Sequence, residues 1–181
     1  MRYIFFVLCI VFCMVQIKQM QNLPVHDEKN NSDISHFMKF TEHWEGRRHT
    51  AYTDRGAFAI GVGHHFKNKN EFSGKLTDKQ IDELLKRDMT QAIIDAKQLV
   101  KNFDSLPYKV KLIVADLSFN LGKNNFSKFK KAIHACHNRD WEKMAFELKN
   151  SKWYGQVNRR SKHHVTVLQE LAQDEKMIAK K

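Results

Sequence analysis

Residues 42–65 read EHWEGRRHTAYTDRGAFAIGVGHH, and this stretch decides the fold. Glu45 and Gly46 close what the preceding pattern predicts to be a helix: Ile34, Phe37, Met38, Thr41 and Trp44 recur at spacings of three and four, with Ser32 or Asp33 as the cap. After Asp54, the apolar residues Phe58, Ile60 and Val62 are interleaved with Gly56, Gly61 and Gly63. Apolar residues alternating with turn formers predict a tight β-hairpin. Glycines there let the backbone turn sharply and let a bulky partner lie close against it.

Glu45 and Asp54 therefore fall on different elements on either side of a turn. Such a pair suits chemistry at a glycosidic bond, where one group protonates the leaving oxygen and the other positions or activates water. The bland alternative is two solvated surface acids. A carboxyl at a helix C-terminus feels the negative end of the dipole, and nearby aromatic surface desolvates it. Both effects favour the protonated form that a proton donor needs.

Downstream, Thr77 caps a long helix with Gln80 as its capping-box partner, and Ile81, Leu84, Leu85, Ala92, Ile93, Ala96 and Leu99 form its stripe. A helix of that length reaches roughly 35 Å at about 1.5 Å per residue, enough to run between two lobes behind a cleft. Leu106-Pro107 opens YKVKLIVADLSFNLG, apolar nearly all round from Leu112 to Leu117 and closed by Gly122, a buried central helix. FSKFKKAIHACH and DWEKMAFELKN are two short amphipathic helices, the second capped by Asp140, and residues 157–176 make the last helix.

A chain of 181 residues builds one domain with a proper core, or one domain with two small lobes. Lys and Arg outnumber Asp and Glu by 31 to 20, a formal charge of +11, which suits a polyanionic partner: nucleic acid, anionic membrane or an acidic cell wall. No zinc-finger spacing is present, and the aromatics are not interleaved as in an RNA-binding sheet, so nucleic acid is not expected. Three cysteines make no disulfide framework. Cys9 and Cys13 lie in the first apolar run, and Cys136 reads as a small core residue. Residues 1–20 carry Arg2 and an apolar run from Tyr3 to Val15, a signal peptide or signal anchor, so the protein is expected to be exported and to meet a membrane only through that segment. Residues 21–35 read as a polar linker and 36–181 as the folded domain.

The run WEG…AYTDRGAFAIGVGH resembles the catalytic signature of the phage-type lysozymes, glycoside hydrolase family 24. Glu45, Gly46, Tyr52, Asp54, Ile60, Gly61, Gly63 and His64 match it. Ala59 departs from it, since the family usually has Thr there, and the hairpin is one residue shorter than in some members. Further on, Asp88 stands where the family's aspartate pairs with the hairpin histidine, here His64. Asn120 in Phe119-Asn120-Leu121-Gly122 matches the segment whose amide faces the saccharide. Trp153, Tyr154, Gln156 and a basic pair resemble the C-terminal signature, placing Arg160 where an arginine approaches the catalytic Glu. Read from composition alone, Arg159, Arg160 and Lys162 are a solvated basic face.

The resemblance covers roughly residues 36–172. It implies a mainly helical α+β, lysozyme-like fold, with a small β-hairpin lobe and a larger helical lobe joined by the long helix. The implied activity is hydrolysis of the β-1,4 bond between N-acetylmuramic acid and N-acetylglucosamine in peptidoglycan. Glu45 is then the general acid and Asp54 the group that orients water or stabilises charge at the sugar. Neither metal nor cofactor is implied, and a monomer is expected. Alternatives are a lysozyme-fold module that binds glycan without cutting it, for which Ala59 speaks, a lytic transglycosylase, and a cationic membrane-disrupting protein. Without the threonine hydroxyl, water falls to Asp54, to backbone groups, or to a residue such as Thr53 or His65. A threonine restored at 59 is expected to speed the reaction if the shortened hairpin presents it to the cleft.

Overall fold

In the computed structural model, residues 28–179 are described, apart from 55, 69 and 70. The expected leader at 1–20 and the first part of the expected linker lie outside the described residues. The elements below pack within a single unit running from Asp33 onward. Helix α1 (Glu28–Glu45) begins before the predicted Ile34, so Ser32 and Asp33 lie inside it rather than capping it. Neither Gly nor Pro interrupts residues 28–33, and nothing local stops the helix from extending backwards. At its other end Gly46 N–H bonds Glu42 C=O at 2.9 Å, and the chain turns into the sheet.

The predicted hairpin is a three-stranded antiparallel meander in the order β1 (Arg48–Asp54), β2 (Ala57–Gly61), β3 (His64–Phe66). Strand β1 escaped prediction because it is polar and mostly exposed, so it shows no apolar alternation. Register decides which side chains share a face: residues directly opposite in an antiparallel pair point the same way. Asp54 pairs with Ala57 and Tyr52 with Ala59, while Ala59 also pairs with His65. These five share one face. Thr53 pairs with Phe58, and Phe58 with Phe66, on the other. There Phe58 stacks on Phe66 at 5.7 Å, and Phe72 meets Phe66 edge-on at 5.0 Å.

Helix α2 (Asp78–Leu99) carries the predicted capping box of Thr77 and Gln80. Its stripe serves two cores. Ile81 and Leu85 pack with Val62 beneath the sheet, whereas Met89, Ala92 and Ala96 join the large helical core. Arg47 clamps this arrangement, bonding Glu42 on α1 at 2.6 Å and Asp82 on α2 at 2.6 Å. The hydrogen bond to Glu42 is the largest of several effects that raise its already high proton affinity.

A 3₁₀ turn (Phe103–Ser105) leads to helix α3 (Tyr108–Phe126), whose Val110, Ile113, Val114 and Leu117 are buried. Gly122 interrupts it at φ +69°, a left-handed conformation that other residues adopt only under strain, and one further helical stretch follows. Then come α4 (Lys130–His137), α5 (Trp141–Lys149, capped by Asp140), α6 (Lys152–Gln156) and α7 (Arg159–Ile178). The short α6 had no sequence signal long enough to show a period. The last helix starts at Arg159 rather than 157 because Asn158, at φ +32°, breaks the path. Trp141, Phe126, Leu117, Leu148 and Leu168 sit in the large core at 1% exposure or less. Cys136 is buried there, and burial pushes its thiol up to about 12. Among the described residues, no helix is long and apolar enough to cross a membrane.

Candidate active site

Between the sheet and the helical lobe lies a cleft of about 690 Å³, within the range of small-ligand sites. Asp54, Ala57, Gly63 and His65 of the sheet region line it together with Glu45, Asn120, Trp153, Gln156 and Arg160 of the helices. Both sequence-predicted carboxylates therefore face a single cavity, together with Asn120 and Arg160.

The position of Glu45 follows from its place on the last turn of α1. Gly63, at φ +71°, passes so close that a Cβ there would lie 3.3 Å from Glu45 Oε2. A larger residue would displace the carboxylate. Arg160 Nη1 donates to Glu45 Oε1 at 2.5 Å, and Asn120 Nδ2 donates to the same oxygen at 3.3 Å. Asn120 Oδ1 in turn accepts from Trp153 Nε1 at 2.8 Å. The amide expected to face the saccharide lines the cleft and is bonded to both Glu45 and Trp153.

Behind Arg160 sits a group that sequence reasoning missed. Asp116, 1% exposed, accepts from Arg160 Nε at 2.7 Å and Nη2 at 2.6 Å, and from Thr41 Oγ1 at 2.7 Å. His164 Nε2 lies 2.7 Å from Asp116 Oδ2 and must be the donor, because an ionised carboxylate only accepts. Burial alone would raise the Asp116 carboxyl, but the hydrogen bonds and charges of His164 and Arg160 prevail and hold it at about 2. For Arg160, burial opposes the charge, and Asp116 and Glu45 outweigh it, so its proton is held more tightly than usual. The available signal was an acid inside LIVADLSF: a carboxylate in an otherwise buried run needs partners. That run was read as apolar nearly all round, and the acid was passed over. The basic face inferred from composition divides accordingly, with Arg160 buried and Arg159 and Lys162 exposed.

Asp54 is held quite differently. It ends β1, is exposed, and its carboxylate has no hydrogen bond or ion pair among the described residues. Its strand neighbour Tyr52 is half-buried, and burial, followed by the negative charges of Glu45 and Asp54 against the lowering effect of Arg48, pushes the phenol up. Of the two suggested water-holding residues, Thr53 lies on the opposite face of the strand from Asp54, whereas His65 lines the cleft. Ala59 is 0% exposed and does not line the cleft. The expectation that a threonine at 59 would present its hydroxyl to the cleft therefore fails, because its added atoms would enter filled space.

His64 and Asp88 form the expected pair, Nδ1 to Oδ2 at 2.6 Å, and Arg87 Nη2 approaches His64 Nε2 at 3.2 Å. A ring that donates from Nδ1 and accepts at Nε2 satisfies both, and it ties β3 to the middle of α2 away from the cleft lining. Among the described residues, no group of three or more His, Cys, Asp or Glu is arranged to hold a metal ion.

Residues 42–163 match the family described as Phage lysozyme. Over 161 residues the chain is 29% identical to Probable T4-type lysozyme 2 of Dictyostelium discoideum, covering 75% of this chain and 95% of that protein. It is also 25% identical over 130 residues to Peptidoglycan hydrolase gp36 of Pseudomonas phage phiKMV, covering 71% of this chain and 14% of that much longer protein. With Probable T4-type lysozyme 1 of Dictyostelium discoideum it shares 25% identity over 114 residues, 60% of this chain and 65% of that one. The matched span takes in Glu45, Asp54, Asp116 and Arg160 alike, and the chain belongs to the phage lysozyme family.

Proposed function

We propose that this protein is a glycosidase that cuts peptidoglycan at the β-1,4 bond between N-acetylmuramic acid and N-acetylglucosamine. Hydrolysis of peptidoglycan in general follows from its family and from the names of its relatives. The particular bond rests on one observation: Glu45, anchored by Arg160 and Asn120, shares a cleft with the solvent-exposed Asp54. Glu45 gives its proton to the glycosidic oxygen as the bond from C1 to that oxygen breaks. Asp54 holds the water that attacks C1 and stabilises positive charge developing on the sugar.

The hydroxyl usual in the family is missing from this cleft, since residue 59 is Ala and its position does not line the cavity, so the water is held with one hydrogen bond fewer. Loss of one positioning hydrogen bond costs about 0.5–1.5 kcal/mol, a slowing of up to roughly tenfold. Activity is therefore slow rather than absent. A module that binds glycan without cutting it is the second reading, and Ala59 is the observation in its favour. The substrate is reached outside the cytoplasm, by export through residues 1–20, and the protein acts as a monomer.

Release of reducing ends from purified peptidoglycan, measured for wild type and Glu45→Gln, tests the reading. The amide keeps the shape of the side chain but delivers no proton, so cleavage is expected to fall to background with folding intact. Wild type indistinguishable from Glu45→Gln, with saturable glycan binding, decides for the binding module. Lysis retained by Glu45→Gln, without new reducing ends, decides for membrane disruption.

A further inference from the structure

A general acid must hold its proton at the pH where it works, and the nearest charge to Glu45 pushes the other way. A guanidinium 2.5 Å from the carboxyl favours the ionised form. Other elements facing Glu45 bring no balancing charge into contact. Asn120 on α3 contributes a neutral amide, and the turn before β3 contributes the backbone of Gly63. Tyr52 and Asp54 on β1 and His65 on β3 lie nearby on the sheet side of the site, and His43 precedes Glu45 on its own helix. Behind the guanidinium, however, stands Asp116. It meets Arg160 through two hydrogen bonds, is 1% exposed, and is fixed from α1 by Thr41 and from α7 by His164. A carboxylate so held cannot turn away from the cation.

We propose that Asp116 is a positioning residue for the general acid: by holding Arg160 in a buried two-point pair it offsets that cation's charge beside Glu45, so that the carboxyl can serve as a proton donor next to a guanidinium. Arg160 then supplies shape and a hydrogen bond rather than a net positive charge. Arg160 and Asp116 are both buried, and there such compensation acts strongly, since charges interact more at low effective dielectric. The inference rests on the reading of Glu45 as the proton donor.

A charge cycle over positions 116 and 160 tests it. Wild type, Asp116→Asn, Arg160→Gln and the double variant are each assayed for reducing ends across the pH range. The alkaline limb of kcat/KM reports loss of the proton from the free enzyme's acid. In Asp116→Asn it is expected to move down by about one pH unit, and in Arg160→Gln to move up by a similar amount. The double variant, whose amide pair carries no charge, is expected to return close to wild type. Limbs that stay in place while all rates fall uniformly reduce Asp116 to a structural residue and overturn the proposal. Should Asp116→Asn not fold, the step from Arg160→Gln to the double variant still reads removal of the same charge, and a downward move of the limb is again required. Carbon-13 NMR titration of the Glu45 carboxyl in the same proteins reads the shift without turnover. A wild type that cuts nothing then counts against the functional reading alone, while an NMR shift that fails to follow the charge at 116 and 160 counts against this one.

Discussion

Glu45 and Asp54 face one cleft from walls of different construction. The wall behind Glu45 is the helical lobe, where Trp141, Leu148 and Leu168 are among the residues buried in a large core. A chain of hydrogen bonds runs there from Glu45 through Arg160 to Asp116, Thr41 and His164. The wall behind Asp54 is three short strands over a core of Val62, Ile81 and Leu85, with Asp54 itself exposed. A proton donor must meet a single atom of the substrate, and its carboxyl is bonded by Arg160 and Asn120 and flanked by the backbone of Gly63. Holding a water molecule asks less of the scaffold, and that carboxylate is left to solvent and substrate. The division predicts where stability resides and where motion is tolerated.

The sharpest way to break the comparison is to make a cavity in each wall. Leu168→Ala in the large core is expected to cost about 2–5 kcal/mol and to lower Tm by roughly 6–15 °C. Val62→Ala beneath the sheet is expected to cost about 1–2 kcal/mol and to show first as faster hydrogen exchange in the strands, ahead of any global change. Thermal unfolding with amide exchange reads both. Equal losses of Tm with uniform exchange would mean that the two walls are one cooperative body.

The charge chain makes a smaller, pH-dependent contribution on the helical side only. Burial acts to raise the folded carboxyl of Asp116, but the hydrogen bonds and charges of His164 and Arg160 outweigh it and depress that carboxyl to about 2, well below its ordinary range. Its contribution is therefore fully present above the unfolded value and is lost as pH falls through the folded one, a window from roughly pH 4 down to pH 2. The size is about 2 kcal/mol. Urea unfolding of wild type and Asp116→Asn across this window is expected to show the difference in stability between them shrinking toward acid by that amount. A constant difference would place the stabilisation in packing rather than in the charge.

Legibility of this structure in its sequence follows the same division. Helix α2 was readable to its first residue, since Thr77 and Gln80 form a local device whose geometry needs no tertiary partner. Glu45, Asp54 and Arg160 were placed because short motifs with fixed backbone geometry carry them. Strand β1 was not readable, because its order comes from pairing with β2 and not from its own polar residues. Asp116 was not read either. Its meaning lies in contacts with residues as distant in the chain as Thr41 and His164, and only its burial distinguishes it from a solvated acid. The start of α1 was missed for another reason: Asn30, Asn31, Ser32 and Asp33 are weak helix formers, and Ser32 and Asp33 are also good caps, so the run reads as the approach to a helix rather than its first turns.

The smallest expected effect concerns Ala59, where the sheet wall departs from its family. Ala59 lies between Tyr52 and His65 in the sheet, and no solvent reaches it. A threonine there adds two heavy atoms to closed space, at a cost of about 1 kcal/mol, the low end of what overpacking does. Its hydroxyl also stays out of the cleft, so the rate of reducing-end release should remain within about twofold of wild type. The water must then be held from the exposed part of the same face. Beside Asp54, which only accepts, His65 lines the cleft with a ring that offers both a donor and an acceptor, and that ring has no bonded partner among the described residues. His65→Ala should accordingly lower kcat by up to about tenfold with little change in KM, the pattern for loss of an interaction made in the transition state. His65→Gln, which keeps a donor and an acceptor, should recover most of that loss. Should Ala59→Thr instead raise the rate about tenfold while His65→Ala leaves it unchanged, the sheet must open during turnover to bring position 59 into the cleft. The exposed wall would then be the mobile one in the reaction as well as in its packing.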